Sequence, residues 1–104
     1  MYVRTERDGI GLIIKKYEDD YLVEIHDKSP YLFQKKELSE PSDTIIKLIE
    51  EGDYVNGKVV RKKAVDYYNL PYIWIGDTEE IFYDNEIKTV VTKEQFEFMQ
   101  YEVH

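Results

Sequence analysis

The residues in this chain that could do chemistry are mostly carboxylates, and they are crowded toward one end. Asp77, Glu79, Glu80, Asp84 and Glu86 follow one another with no Lys or Arg between Lys63 and Lys88. Like charges this close repel, which costs some stability. Such a ladder can imitate spaced phosphates and occupy a partner's basic, nucleic-acid-binding groove. The plainer use of the same acids is solubility and protection of an exposed strand edge. Tyr67 and Tyr68 stand just upstream, in an Asp-Tyr-Tyr-Asn stretch that reads as a loop. Tyrosines on a loop are good contact anchors. The seven residues Asp77, Glu79, Glu80, Asp84, Glu86, Tyr67 and Tyr68 are therefore the candidate partner-binding set.

Other chemistry is poorly supplied. His26 and His104 are the only histidines, and His26 shares a strand face with Glu24, two ligands where a closed zinc site needs four. Glu18-Asp19-Asp20 lacks the glycine and closing Glu of a calcium loop and reads as a solvated hairpin tip. Ser29, Ser39 and Ser42 lie in polar loops without a neighbouring base and orienter. No phosphate-binding glycine motif occurs. The reading is a non-enzyme with neither metal nor cofactor.

Charge and composition bound the remaining classes. The 104 residues carry 22 acids and 14 bases, a net charge of −8. Residues 1–64 hold 13 acids and 12 bases, while the last forty hold 9 acids against Lys88 and Lys93 alone. Direct nucleic-acid binding by that region is disfavoured, and a basic protein partner is favoured. Lys35-Lys36 and Arg61-Lys62-Lys63 read as charge balance. There is no cysteine, no signal-peptide pattern at the N-terminus and no long apolar run, which together suggest a cytoplasmic protein away from membranes.

The elements that must hold these residues are short strands. One domain is expected over residues 1–104. Tyr2–Thr5 reads as a strand. Ile10–Tyr17, with Leu12 and Ile14 on one face, and Tyr21–His26, with Tyr21, Val23 and Ile25 alternating, read as a hairpin. Tyr31–Phe33 reads as another strand. Asp43 is expected to cap a two-turn helix packing Ile45, Ile46, Leu48 and Ile49 and ending at Gly52. Asn56-Gly57 is the strongest hairpin signal, since both positions tolerate positive φ. Leu70–Ile75, Ile81–Tyr83 and Ile87–Val91 read as strands, with Trp74 expected in the core. Thr92 and Gln95 have capping-box spacing, with Phe96 packing inward, and Tyr101–Val103 reads as a final strand. The expected fold class is mainly β: a small, partly open barrel of the Src-homology-3 type with two short helical insertions.

Ile45-Ile46-Lys47-Leu48-Ile49-Glu50-Glu51-Gly52-Asp53-Tyr54-Val55-Asn56-Gly57 and Thr89-Val90-Val91-Thr92-Lys93-Glu94-Gln95-Phe96, with Glu80-Ile81-Phe82-Tyr83 between them and Tyr101-Glu102-Val103 closing the chain, carry a resemblance. Residues 43–104 are similar to small, mostly uncharacterised phage and prophage proteins of low-GC Gram-positive bacteria. Many small acidic proteins from such elements inhibit host defences, CRISPR nucleases among them. That setting and the acidic charge together suggest an inhibitor of a host nucleic-acid-binding protein acting by acidic mimicry, with monomer and homodimer both open. Two alternatives stand beside it: a nucleotide-sequestering oligomer that stacks bases on tyrosine with Arg61, Lys62 and Lys63 in its pocket, and a phage assembly part that joins neighbours by strand addition.

Overall fold

The computed structural model describes residues 1–25, 28–76 and 79–102, with the side chains of the C-terminal helix described through Glu97. The period-2 runs of the first third form a four-stranded antiparallel meander: β1 (Tyr2–Arg4), β2 (Ile10–Lys16), β3 (Asp20–Glu24) and β4 (Tyr31–Gln34). Val3, Val23 and Ile25 are buried on its inner face, with Ile13, Tyr21, Phe33 and Leu38 packed against them. Leu12 and Ile14 lie on the solvent side instead. The register shifts between Ile13 and Lys15, and Ile13 is the β2 residue packed against this cluster, while Ile10 packs against the larger core. Gly11 makes this close packing possible: a Cβ there would come 2.5 Å from Val23 Cγ1.

The second sheet has five strands: β5 (Tyr54–Val55), β6 (Lys58–Val65), β7 (Pro71–Ile75), β8 (Glu80–Tyr83) and β9 (Val90–Val91), in the order β8-β7-β6-β5-β9, all neighbours antiparallel. Asn56 and Gly57 turn β5 into β6 at φ 52° and 82°, the positive values their dipeptide foretells. β6 pairs with β5 through Lys58 and Val59 and with β7 from Val60 to Val65, and a register irregularity between Val60 and Lys62 interrupts the β7 ladder. Ile46, Ile49, Val55, Val60, Ile73 and Ile75 form the larger core. Ile73 and Ile75 point inward, so the period-2 pleat turns Trp74 outward and leaves it 39% exposed, contrary to its expected burial. The strands thus make two antiparallel sheets, and the end strands β8 and β9 are not paired with each other among the described residues.

Two elements differ from expectation for identifiable reasons. The helix expected after Asp43 shrinks to a 3-10 turn at Ile46–Leu48. Backbone groups a longer helix would pair internally are claimed from elsewhere: the Leu48 carbonyl accepts from Arg4 Nη1 at 2.9 Å, and the Glu50 N–H donates to Asp53 Oδ2 at 2.7 Å. The last described segment is a helix, α1 (Lys93–Glu102), where a strand was expected at Tyr101–Val103; Val103 lies outside the described residues. Thr92 and Gln95 close the reciprocal capping box, each backbone N–H meeting the other's side chain at 3.2 Å. Asp53 Oδ1 takes the Lys93 N–H as well. A start held twice over lets the helix run on past Tyr101. Phe96 stays partly exposed while its ring meets Tyr54 at 4.9 Å.

Arg4 ties the two sheets together. Its guanidinium forks onto the fully buried Asp53 (Nη1–Oδ2 2.5 Å, Nη2–Oδ1 2.8 Å), and Nη2 also reaches Glu94 of α1 at 2.7 Å. Burial works against both charges. The bond to Asp53, the attraction of its charge and the further acids Glu94 and Glu50 nevertheless hold the Arg4 pKa above its ordinary value. Asp53 is likewise held below the usual carboxylate range, its burial outweighed by Arg4 and by the Glu50 and Lys93 N–H groups.

Candidate functional site

The loop between β6 and β7 is shaped by Asp66. Asn69 N–H donates to the Asp66 carbonyl, and Asp66 N–H donates to the Leu70 carbonyl. Asn69 adopts φ 64°. This is a three-residue hairpin loop, a tight turn closed by one left-handed residue. The Asp66 carboxylate reinforces it, Oδ1 accepting from the Tyr68 and Leu70 N–H groups at 2.8 and 3.0 Å. Tyr67 and Tyr68 are forced to the tip, 96% and 79% exposed, with rings edge to face at 5.5 Å. Val65 and Leu70 beside them are also more than half exposed. Apolar surface this concentrated on a loop signals contact.

Below the loop lies an open groove of about 980 Å³. Ile46, Leu70 and Pro71 supply its apolar lining, and Asp66, Tyr83, Asp84 and Glu86 its polar lining. Asp66 Oδ2 accepts from the Tyr83 hydroxyl at 3.1 Å, which joins the loop to the end of β8. The Leu70 and Tyr68 N–H groups and the Tyr83 hydroxyl together hold Asp66 below its ordinary pKa, while the same bond raises that of Tyr83. After β8 the chain makes a 3-10 turn at Asp84–Glu86. Glu86 Oε1 accepts from the Tyr83 N–H at 3.0 Å, and Asp84 Oδ1 accepts from the Ile46 N–H at 3.1 Å, drawing in the opposite wall. Lys47 is the one base in the lining among the described residues, and it pairs with Asp43 at 3.2 Å.

The expected acidic ladder is thereby divided. Glu79 is exposed in the turn before β8, and Glu80 opens that strand, bonded to Lys58. Asp84 and Glu86 lie at the other end, roughly 13 Å away for four strand residues. Asp77, like His26, lies outside the described residues. The structure thus brings Asp84, Glu86 and the Tyr67–Tyr68 loop to one groove and leaves Glu79 and Glu80 apart from it. Asp66, Leu70, Pro71, Tyr83 and Ile46 are groove residues that the sequence reading did not single out. Asp66 carried a usable signal, since an Asp three residues before Asn is a turn former. Among the serines, Ser39 Oγ accepts the Arg4 N–H and Ser42 is buried against Thr44, so both support the backbone. Among the described residues no cluster of His, Asp and Glu is suited to a metal, and no helix is long and apolar enough to cross a membrane. Comparison with protein-family models, with curated proteins and with solved structures finds no match.

Proposed function

We propose that this chain is a non-enzymatic protein-binding module that docks a basic partner on the Tyr67–Tyr68 loop and the groove beneath it. The carrying observation is the placing of two exposed tyrosines, on a hydrogen-bonded loop, above a groove whose described lining holds three carboxylates and a single, already paired lysine. Aromatic anchors beside a charged rim are what contact hot spots are made of. The resemblance to phage-borne proteins suggests the setting: the host cytoplasm, with a nucleic-acid-handling defence protein such as a CRISPR nuclease as the partner. On this reading the groove end occupies a surface the partner otherwise offers to phosphate, and Glu79 and Glu80 add long-range attraction. The partly open barrel belongs to the same proposal. Its support is the order β8-β7-β6-β5-β9, the irregularity in β6 and the 3-10 turn before β9. A nucleotide is the weaker occupant, because three acids line the groove and none of Arg61, Lys62 and Lys63 does.

The test is capture from host lysate at low and moderate salt by three forms of the protein. These are wild type, a groove variant (Tyr67→Ser, Tyr68→Ser, Leu70→Ser) and a control altered on the outer face of the first sheet (Leu12→Ser, Ile14→Ser). The expected result is one basic protein held by wild type and control, released as salt rises and lost with the groove variant. Capture that survives the groove changes, or is lost with the control, overturns the proposal.

A further inference from the structure

The groove's own chemistry narrows what the partner inserts into it, taking the binding role proposed above as given. Its three acids are not equivalent. Asp66 has both oxygens engaged, two backbone N–H groups on one and the Tyr83 hydroxyl on the other. Asp84 and Glu86 each commit a single oxygen, Oδ1 to Ile46 and Oε1 to Tyr83. Asp84 Oδ2 and Glu86 Oε2 have no hydrogen-bond partner among the described residues. Two carboxylates on one short turn, each with an uncommitted oxygen, sit beside an apolar strip made by Leu70 and Pro71.

We infer that this groove takes an arginine side chain of the partner, its methylenes laid along Leu70 and Pro71 and its guanidinium turned to Asp84 and Glu86. Charge complementarity calls for a cation. The apolar strip and the paired acceptors choose between cations. A guanidinium is more weakly hydrated than an ammonium and gives up water more easily against apolar surface. It also has five donors in a planar fork, which two acceptors can share, where an ammonium is a point charge. Tyr83, tied to Asp66 and packed 5.9 Å from Tyr72, adds aromatic surface on which a guanidinium stacks well.

The probe is a set of short capped peptides with one central residue varied among arginine, lysine and citrulline, a neutral shape-match of arginine, flanked by leucine. These are titrated into isotopically labelled protein and followed by amide chemical shifts. The expected result is shift changes at Ile46, Asn69–Leu70 and Tyr83–Glu86. Arginine should bind about ten-fold tighter than lysine, the size of one charge-assisted hydrogen bond, and citrulline weakest. Asp84→Asn with Glu86→Gln keeps the cap oxygens Oδ1 and Oε1 but removes both charges, so its spectrum should stay folded while the arginine preference disappears. Lysine binding as tightly as arginine at the same residues overturns the arginine inference and leaves the basic-partner proposal standing. Shift changes confined to the first sheet, or no binding by any peptide, overturn the inference outright, and the lysate capture then judges the broader proposal separately.

Discussion

Two clusters in this molecule are built from the same ingredients, carboxylates near cations and backbone N–H groups, and they work in opposite ways. Around Asp53 every oxygen is taken: Arg4 forks onto both, the Glu50 N–H joins one and the Lys93 N–H the other. Asp53 has nothing left for a partner, and it is fully buried with Arg4 nearly so. Around the groove, Asp84 and Glu86 are half used and exposed. The difference is one of accounting rather than residue type. A buried charge must be wholly satisfied at home, whereas an exposed one can hold a cap with one oxygen and offer the other.

The largest effect that separates the two belongs to Asp53. Asp53→Ala leaves Arg4 buried without its main partner and should cost about 3–5 kcal/mol in urea unfolding. The paired replacement Arg4→Met with Asp53→Leu should cost much less, since it removes both charges together. A double variant as unstable as the single one would mean that the cluster's geometry, rather than its charge balance, holds the sheets. Acid tests Asp53 as well. Asp53 has a folded pKa below its unfolded value, about 3.9. Its contribution is complete above that pH and is lost as pH falls through the lowered folded value. Stability should therefore fall as pH drops below about 4, and Asp53→Asn should flatten that part of the curve.

How far each cluster could be read in advance follows from the range of its contacts. Asn56-Gly57 and Thr92–Gln95 are decided by residues within three of one another, and the structure forms both as read. Tyr67 and Tyr68 are legible for the same reason, since Asp-Tyr-Tyr-Asn is a local turn. Arg4 and Asp53 are 49 positions apart, and nothing in either neighbourhood announces the other. That unseen pair also explains the helix that stops after Leu48, because it draws the Leu48 and Glu50 backbone away from helical partners. Trp74 failed differently. Its strand was legible but its face was not, because the outward pleat is fixed by Ile73 and Ile75 in a core that local sequence does not display. The groove's floor needed three separated segments to meet, at Ile46, Leu70–Pro71 and Tyr83–Glu86, and only its rim was local.

The groove should show the reverse signature of Asp53. Tyr67→Ser and Tyr68→Ser remove rings that touch each other and solvent, so unfolding free energy should move by no more than about 0.5 kcal/mol. Partner affinity should nevertheless fall at least about ten-fold if these are anchors. Equal losses of stability and affinity would return the two tyrosines to a structural role. Salt offers a further contrast. Raising ionic strength from about 0.05 to 0.5 M should weaken binding at the exposed acids, because the screening length falls below the span of the groove. The Arg4–Asp53 pair, out of solvent, should keep its contribution over the same range.

The smallest effect is expected at Glu80, and it sharpens the comparison because this acid resembles neither cluster. It bonds Lys58 across the surface with both side chains near half exposure. Such pairs contribute under about 1 kcal/mol, so Glu80→Gln should barely shift the unfolding midpoint. Its effect on binding separates two ways in which an acidic face can work. If the partner reads the whole negative field, losing Glu80 should slow association modestly and reduce its salt dependence, with dissociation unchanged. If the partner reads only the groove, both rates should stay at wild-type values, and the acids of the β7–β8 turn then serve solubility. Stopped-flow association at two salt concentrations decides between them, and a faster dissociation rate would instead place Glu80 inside the contact.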